Sequence, residues 1–223
     1  MRRCYPILAL FLMSLFTGSA RAQDKQAPGK PTIRPKSGSP SPGKAAPSLS
    51  ETTAWIKDAL ASYGHVSTFN RYASGWTSSD DFTDSLVSAD SCRLVLHRVS
   101  DMDMTDTQGA SYVNHSESVM TVKVGDLDPA SAKLTEVAGR SDQAGTFGPA
   151  GFAIGYNTTN LAQLIEVDRT IRSSHPGSQP EFKQSNEQSS GISLRVSNKD
   201  IATRLMKAMS HAVELCGGKK SLF

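Results

Sequence analysis

An α+β domain, with an N-terminal helix, a curved and mainly antiparallel sheet of about six to seven strands, and a C-terminal capping helix, is the fold class that this 223-residue sequence predicts. Three observations lead there. Helical periodicity occupies the two ends of residues 49–223, short segments of strand character fill the interval between them, and no second linker or internal repeat divides the 175 or so residues of that span. A chain of that length is enough for one core.

The opening helix is signalled by Ser48-Leu49-Ser50-Glu51, which fits a capping box, followed by Trp55, Ile56, Ala59, Leu60 and Tyr63 at three-to-four spacing before Gly64. Trp55 therefore reads as a core anchor. Segments 66–76, 92–99, 112–124, 132–137, 151–156, 161–171 and 191–197 carry Val, Ile, Tyr and Thr and are separated by Gly, Pro, Asn and Asp, which is strand and turn chemistry. The clearest are CRLVLHRVS and SVMTVKV, the latter followed by the turn GDLDP. The polar stretch from Ser173 to Ser190 reads as a long exposed loop. For the closing helix, Ser197-Asn198-Lys199-Asp200 offers an N-cap with an acid three residues on, and Ile201, Leu205, Ala208, Met209, Ala212 and Cys216 form a stripe widened by Met206 and Val213. Gly217 stands where a helix stops, with Lys219 and Lys220 near the negative end of its dipole.

Upstream of the domain the composition changes twice. Residues 1–22 carry Arg2 and Arg3, an apolar run from Tyr5 to Phe16, and small residues ending in Ala20-Arg21-Ala22, the three parts of a secretory signal peptide with cleavage expected after Ala22. The apolar run falls short of the roughly 20 residues needed to cross a bilayer, and no later segment approaches that length, so no transmembrane segment is expected in the mature chain. Residues 23–48 are rich in Pro, Lys, Ser and Gly and nearly empty of large apolar side chains, which predicts a disordered spacer. The expected setting is secreted or periplasmic.

The charge divides with the segments. Of 24 basic and 21 acidic residues, 1–22 hold three arginines and 23–48 hold five basic residues against Asp24, which leaves 16 basic against 20 acidic for 49–223. A domain of net charge −4 without a basic stripe is not built for nucleic acid, so no nucleic-acid partner is expected. The basic residues of the spacer could touch an anionic envelope surface, although a solvated linker is the commoner use of such composition.

Cys4 departs with the signal peptide, leaving Cys92 at the start of a strand and Cys216 at the last turn of the closing helix. An even count in an oxidising compartment favours a disulfide between them, with two buried thiols as the alternative. Such a bridge would staple the helix to the sheet.

The ending DIATRLMKAMSHAVELCGGKK, taken with GDLDP, resembles the C-terminal region of a family of uncharacterised secreted bacterial proteins, chiefly at Ala212, Leu215 to Gly218, and Asp126 to Pro129. The resemblance covers about a quarter of the chain and implies an architecture and an envelope setting without catalytic residues. The order of elements is also loosely similar to the pleckstrin-homology-like fold, an analogy that says nothing of activity.

Catalytic and cofactor signatures are missing. The five histidines show neither HExxH spacing nor a CxxC pairing, there is no G-x-S-x-G, and the glycines of AGTFGPAGFAIG match no nucleotide-binding loop. No cofactor is expected. A hairpin between 92–99 and 112–124 centred near residue 106 would bring His97 and His115 face to face with Glu117 nearby, a weak candidate metal site. Asp101, Asp103 and Asp106 fail the EF-hand pattern, which needs Gly at 106 and Glu at 112, and fit a solvated turn, with an irregular calcium site as the alternative; the same weighing applies to Asp80, Asp81 and Asp84. These readings favour an interaction or ligand-binding module for a protein or small ligand of the cell envelope. The alternatives are a hydrolase with a site assembled from dispersed Asp, Glu, Ser and His, and a structural envelope component.

Overall fold

The computed structural model describes residues 46–142 and 145–219, with side chains described outside 140–147. The signal-peptide reading, including Ala20 and Ala22, lies outside the described residues, as does nearly all of the spacer.

Helix α1 (Leu49–Tyr63) starts on the expected capping box. The Ser48 N–H donates to Glu51 Oε2 at 2.8 Å and the Glu51 N–H donates to Ser48 Oγ at 3.3 Å, so two of the backbone donors stranded at a helix start are satisfied reciprocally. Ile56, Ala59 and Leu60 are buried, while Trp55 packs partly buried against the core beneath the Arg204 guanidinium. Nine strands follow: β1 (His65–Arg71), β2 (Thr77–Asp90), β3 (Arg93–Thr105), β4 (Ser111–Lys123), β5 (Lys133–Asp142), β6 (Gly145–Asn157), β7 (Ile165–Ser174), β8 (Glu181–Ser189) and β9 (Gly191–Val196). Helix α2 (Lys199–Leu215) closes the domain, with Asn198 Oδ1 accepting from the Asp200 and Ile201 N–H groups. Its buried face of Ile201, Ala202, Leu205, Met209, Ala212 and Val213 packs on α1 and β6, and the buried Tyr156 hydroxyl donates to the Met206 carbonyl at 2.5 Å.

The strands form one sheet in the order β8-β7-β4-β3-β2-β1-β5-β6-β9, antiparallel at every neighbouring pair except β1 with β5. Two strands have no counterpart in the sequence reading. Strand β2, TSSDDFTDSLVSAD, carries polar residues on both faces with only Phe82 and Leu86 as large apolar side chains turned inward, and β8, EFKQSNEQS, replaces most of the loop expected over 173–190. Eight of the nine β8 residues are exposed, so its order comes from the main-chain ladder to β7 rather than from burial.

Strand order and connection length together dictate the overall curvature. Only Ser190 lies between β8 and β9, yet these are the two ends of the strand order. Nine strands spaced at about 4.8 Å would hold the edges of a flat sheet roughly 38 Å apart. One residue spans about 3.4 Å, so the sheet must roll until its edges approach. They approach without pairing, which leaves an open roll instead of a closed barrel.

The side chains of Leu86, Leu94, Leu96, Met120, Val122, Ile165 and Val167 on β2, β3, β4 and β7 join the helices in the core. Strand β9 lies where its two faces serve different surroundings. Ile192, Leu194 and Val196 enter the core, while Ser193 and Arg195 meet the polar half of β2 and β3.

The Cys92–Cys216 disulfide is present, with Cα atoms 5.6 Å apart and a sequence separation of 124 residues. It joins the turn between β2 and β3 to the end of α2. There the helix stops in a Schellman arrangement. Gly217 takes φ +76, its N–H donates to the Glu214 carbonyl at 3.2 Å, and the Gly218 N–H donates to the Val213 carbonyl at 2.9 Å. The GDLDP segment packs against this terminus: a Cβ on Gly125 would stand 2.8 Å from the Cys216 carbonyl oxygen, and Lys219 Nζ lies 3.9 Å from Asp128 Oδ2. The two stretches singled out together in the sequence are therefore one structural corner.

Candidate functional site: a polar groove inside the rolled sheet

Register places the groove-forming side chains. Along one rung of the inner face stand Asp84, Arg98, Ser118 and Arg169, and along the next Phe82, Ser100, Ser116 and Ile171. The inner face is thus apolar toward the helices, at Leu86, Leu96, Met120 and Val167, and polar toward the far end of the strands. With β8 and β9 completing the walls, these residues enclose a cavity of about 660 Å³. That volume is within the range typical of small-molecule sites.

Asp84 organises the deep end. It is 1% exposed, and its carboxylate accepts from Arg98 Nε at 2.6 Å and Nη2 at 3.0 Å, the bidentate fork that suits these two groups. The same carboxylate accepts the Arg195 N–H at 2.6 Å, and Arg98 Nη2 also donates to the Ser193 carbonyl. Successive residues of an antiparallel strand turn their backbone groups to opposite edges, and the Arg195 N–H and Ser193 carbonyl point away from β6, to the free edge. An ion pair from β2 and β3 therefore occupies the place of a neighbouring strand. This covers an edge that would otherwise present unpaired backbone groups.

The remaining cations differ in their partners. Arg169 is paired with Glu187 at 3.1 Å and donates to Ser118 Oγ at 3.4 Å. Arg195 lies with its guanidinium carbon 4.1 Å from the centre of the Phe82 ring, and no carboxylate among the described residues pairs with it. Burial pulls the Arg195 guanidinium below its ordinary value, the neighbouring Arg98 charge adds to that, and Asp84 opposes it. Two buried polar atoms of the lining have no hydrogen-bond partner among the described residues: Arg195 Nη1 and Asn114 Oδ1. One is a donor and the other an acceptor.

The histidines singled out by the sequence sit on the opposite, outer face of the same strands. The β3–β4 hairpin is centred on residue 108, because Asp106 Oδ1 accepts from the Gln108 and Ala110 N–H groups and widens the turn. His97 consequently pairs with Val119 and His115 with Asp101, two rungs apart, with Glu117 between them. Both His115 nitrogens are engaged by carboxylates, Nδ1 with Asp101 at 2.6 Å and Nε2 with Glu117 at 2.9 Å, and His97 Nε2 is 3.9 Å from Glu117. Among the described residues no group of three or more His, Cys, Asp or Glu side chains is arranged to hold a metal ion. Asp106 closes the turn, Asp101 belongs to His115, and Asp103 stands exposed on β3 in register with Ser79, so only Asp106 of these acids serves the turn expected of all three.

The His115 cluster makes a pH prediction. Hydrogen bonds to Glu117 and then to Asp101 raise the His115 pKa above 6.5, and the bond to His115 lowers that of Glu117 below 4.5. The His115 contribution is fully present below about pH 6.5 and is lost as pH rises through its folded value; that of Glu117 is present above about pH 4.5 and lost as pH falls through its folded value. The advantage of the wild type over His115→Gln in urea melts is expected to be larger near pH 5.5 than near pH 8.5. An advantage equal at both values would remove the charged cluster from the account.

A second histidine, His65, contacts Ser67 Oγ through Nε2 at 3.1 Å and Thr83 Oγ1 through Nδ1 at 3.2 Å. A nucleophile–base–acid relay needs the acid on the nitrogen away from the serine. Here Asp81 lies 3.7 Å from the same Nε2 that meets Ser67, so the order of groups is wrong for that chemistry.

Of the groove residues only Asp84 figured in the sequence reading, as one of the acids expected in a solvated turn; the structure buries it in a strand instead. Comparisons with known protein families, with curated proteins and with solved structures returned no match. What fold and site define together is an α+β protein with an open rolled sheet, one disulfide and a polar inner groove.

Proposed function

We propose that this protein is a secreted or periplasmic ligand-binding module whose ligand occupies the groove inside the rolled sheet. The observation that carries the reading is the cavity of about 660 Å³ with a buried donor and a buried acceptor in its wall that the protein leaves unpaired. Buried polar groups are ordinarily hydrogen-bonded, and a site that keeps a few of them open is one that orients a guest. The disulfide and the signal-peptide pattern support an extracellular setting, and no helix among the described residues is long and apolar enough to cross a membrane. The groove contains no histidine, and its Glu187 is engaged by Arg169, so binding is better supported than hydrolysis.

The test is a ligand-observed NMR screen of small polar metabolites against the wild type and a Ser116→Trp variant, whose indole fills the groove. Hits that bind the wild type and are lost in the variant are the expected result. A screen without hits, or hits that persist unchanged in the variant, would dismiss the groove as the site.

A further inference from the structure

Building on the groove as a ligand site, we infer that its ligand is a small organic acid, held by one carboxylate against the Arg195 guanidinium and by a hydroxyl or amide N–H donated to Asn114 Oδ1.

The charge balance selects the anion. The Arg98 fork is filled by Asp84 and the Arg169 guanidinium by Glu187, so two of the three arginines bordering the groove are neutralised by carboxylates at 2.6 and 3.1 Å. Arg195 remains. Its planar face is occupied by the Phe82 ring, but stacking uses only the plane of a guanidinium and leaves its N–H edges free for an in-plane partner. Nη1 lies on such an edge and is buried without an acceptor. A planar carboxylate matches that edge in shape and in unit charge. A phosphate dianion fits less well, because its second negative charge would face Asp84 and Glu187 without a further cation to meet it. Burial reinforces the demand, since a desolvated guanidinium gains more from a counter-ion than an exposed one does.

Asn114 Oδ1 supplies the second criterion. It is an acceptor in the lining of the same groove, two positions along β4 from Ser116, and it requires a donor from the ligand. An acid with hydroxyl groups, such as a sugar acid, and an acid with an amide N–H, such as an acylated amino acid or a peptide terminus, share the required chemistry.

The experiment uses D-glucuronate and N-acetylglycine as probes, with D-glucose and N-acetylglycinamide as neutral counterparts, and reads backbone NMR shifts of the oxidised protein during titration. The acid of whichever pair fits is expected to bind at least about tenfold more tightly than its neutral counterpart, because a charge-assisted contact is lost with the carboxylate. Which of the two acids binds distinguishes the hydroxylated from the amide-bearing source. Two variants, each checked against the wild type by thermal melt, localise the effect. Arg195→Gln removes the cation, and Asn114→Asp leaves Arg195 in place while adding a carboxylate that repels the anion. Both are expected to weaken the acid by about tenfold or more and to change the neutral compound much less. Neutral compounds that bind as tightly as the acids would overturn the acid assignment while leaving the groove as a ligand site. Probes that shift no groove residue at all overturn the acid assignment, and the metabolite screen then judges the groove separately. Acid binding unaffected by either variant also overturns it, by placing the carboxylate elsewhere.

Discussion

Asp84→Ala is expected to lower the free energy of unfolding by about 3–5 kcal/mol, because removing one partner of a buried ion pair leaves the other charge without compensation. Three hydrogen bonds end on this carboxylate, two from Arg98 and one from the Arg195 backbone, and the residue is 1% exposed. Urea denaturation followed by circular dichroism gives the number. A companion variant, Asp84→Leu with Arg98→Met, separates two contributions. It removes the stranded charge and fills the space, so the ion-pair part of the loss should largely disappear. The Arg195 N–H and the Ser193 carbonyl at the β9 edge would still lose their partners, at a cost of about 1–3 kcal/mol each where they stay buried. A double variant as stable as the wild type would mean that the pair has no role in covering the edge. A single-variant loss below about 1 kcal/mol would mean that water reaches the site freely.

The second large effect concerns the bridge. Replacing Cys92 and Cys216 together by alanine is expected to cost about 2–5 kcal/mol. The chain-entropy relation gives nearly 5 kcal/mol for a closed loop of this length, and measured values commonly fall below it. Reduction of the wild type should move its urea midpoint toward that of the double variant. Intact mass with and without reductant and alkylation provides the control, since the oxidised protein should take up alkylating agent only after reduction. A double variant with the midpoint of the oxidised wild type would show that the corner formed by the end of α2 and the GDLDP segment is held by packing alone.

The parts of this fold that can be read in the sequence are those in which local chemistry and tertiary position agree. Ser48 and Glu51 satisfy each other across one helical turn, and Asn198 does the same for α2, so both helix starts are written in a few adjacent residues. Strands β3 and β4 alternate in a manner that burial requires. Strand β2 does not, because its inner face carries Phe82 and Asp84 for the groove while its outer face carries Asp81 and Thr83. Strand β8 is ordered by main-chain pairing, to which side-chain patterning is blind. The His97–His115 juxtaposition failed for a different reason. Moving a hairpin centre by two residues moves every partner by four, and only the Asp106 hydrogen bonds decide where that centre lies. The groove was illegible for reasons of distance along the chain. Arg195 and Asp84 are 111 residues apart and Arg98 and Ser193 are 95 apart, and nothing local in either segment announces the other.

Cys92 precedes every strand from β3 to β9, and Cys216 follows them all. Because a chain is made from its N-terminus, the Cys92 thiol therefore waits for this partner while seven strands are delivered. Formation of the bridge is then a report of completion: it can close only after α2 has arrived and settled against the β2–β3 turn. A chain arrested before that point lacks the bridge, so the state of these two sulfurs separates unfinished molecules from finished ones.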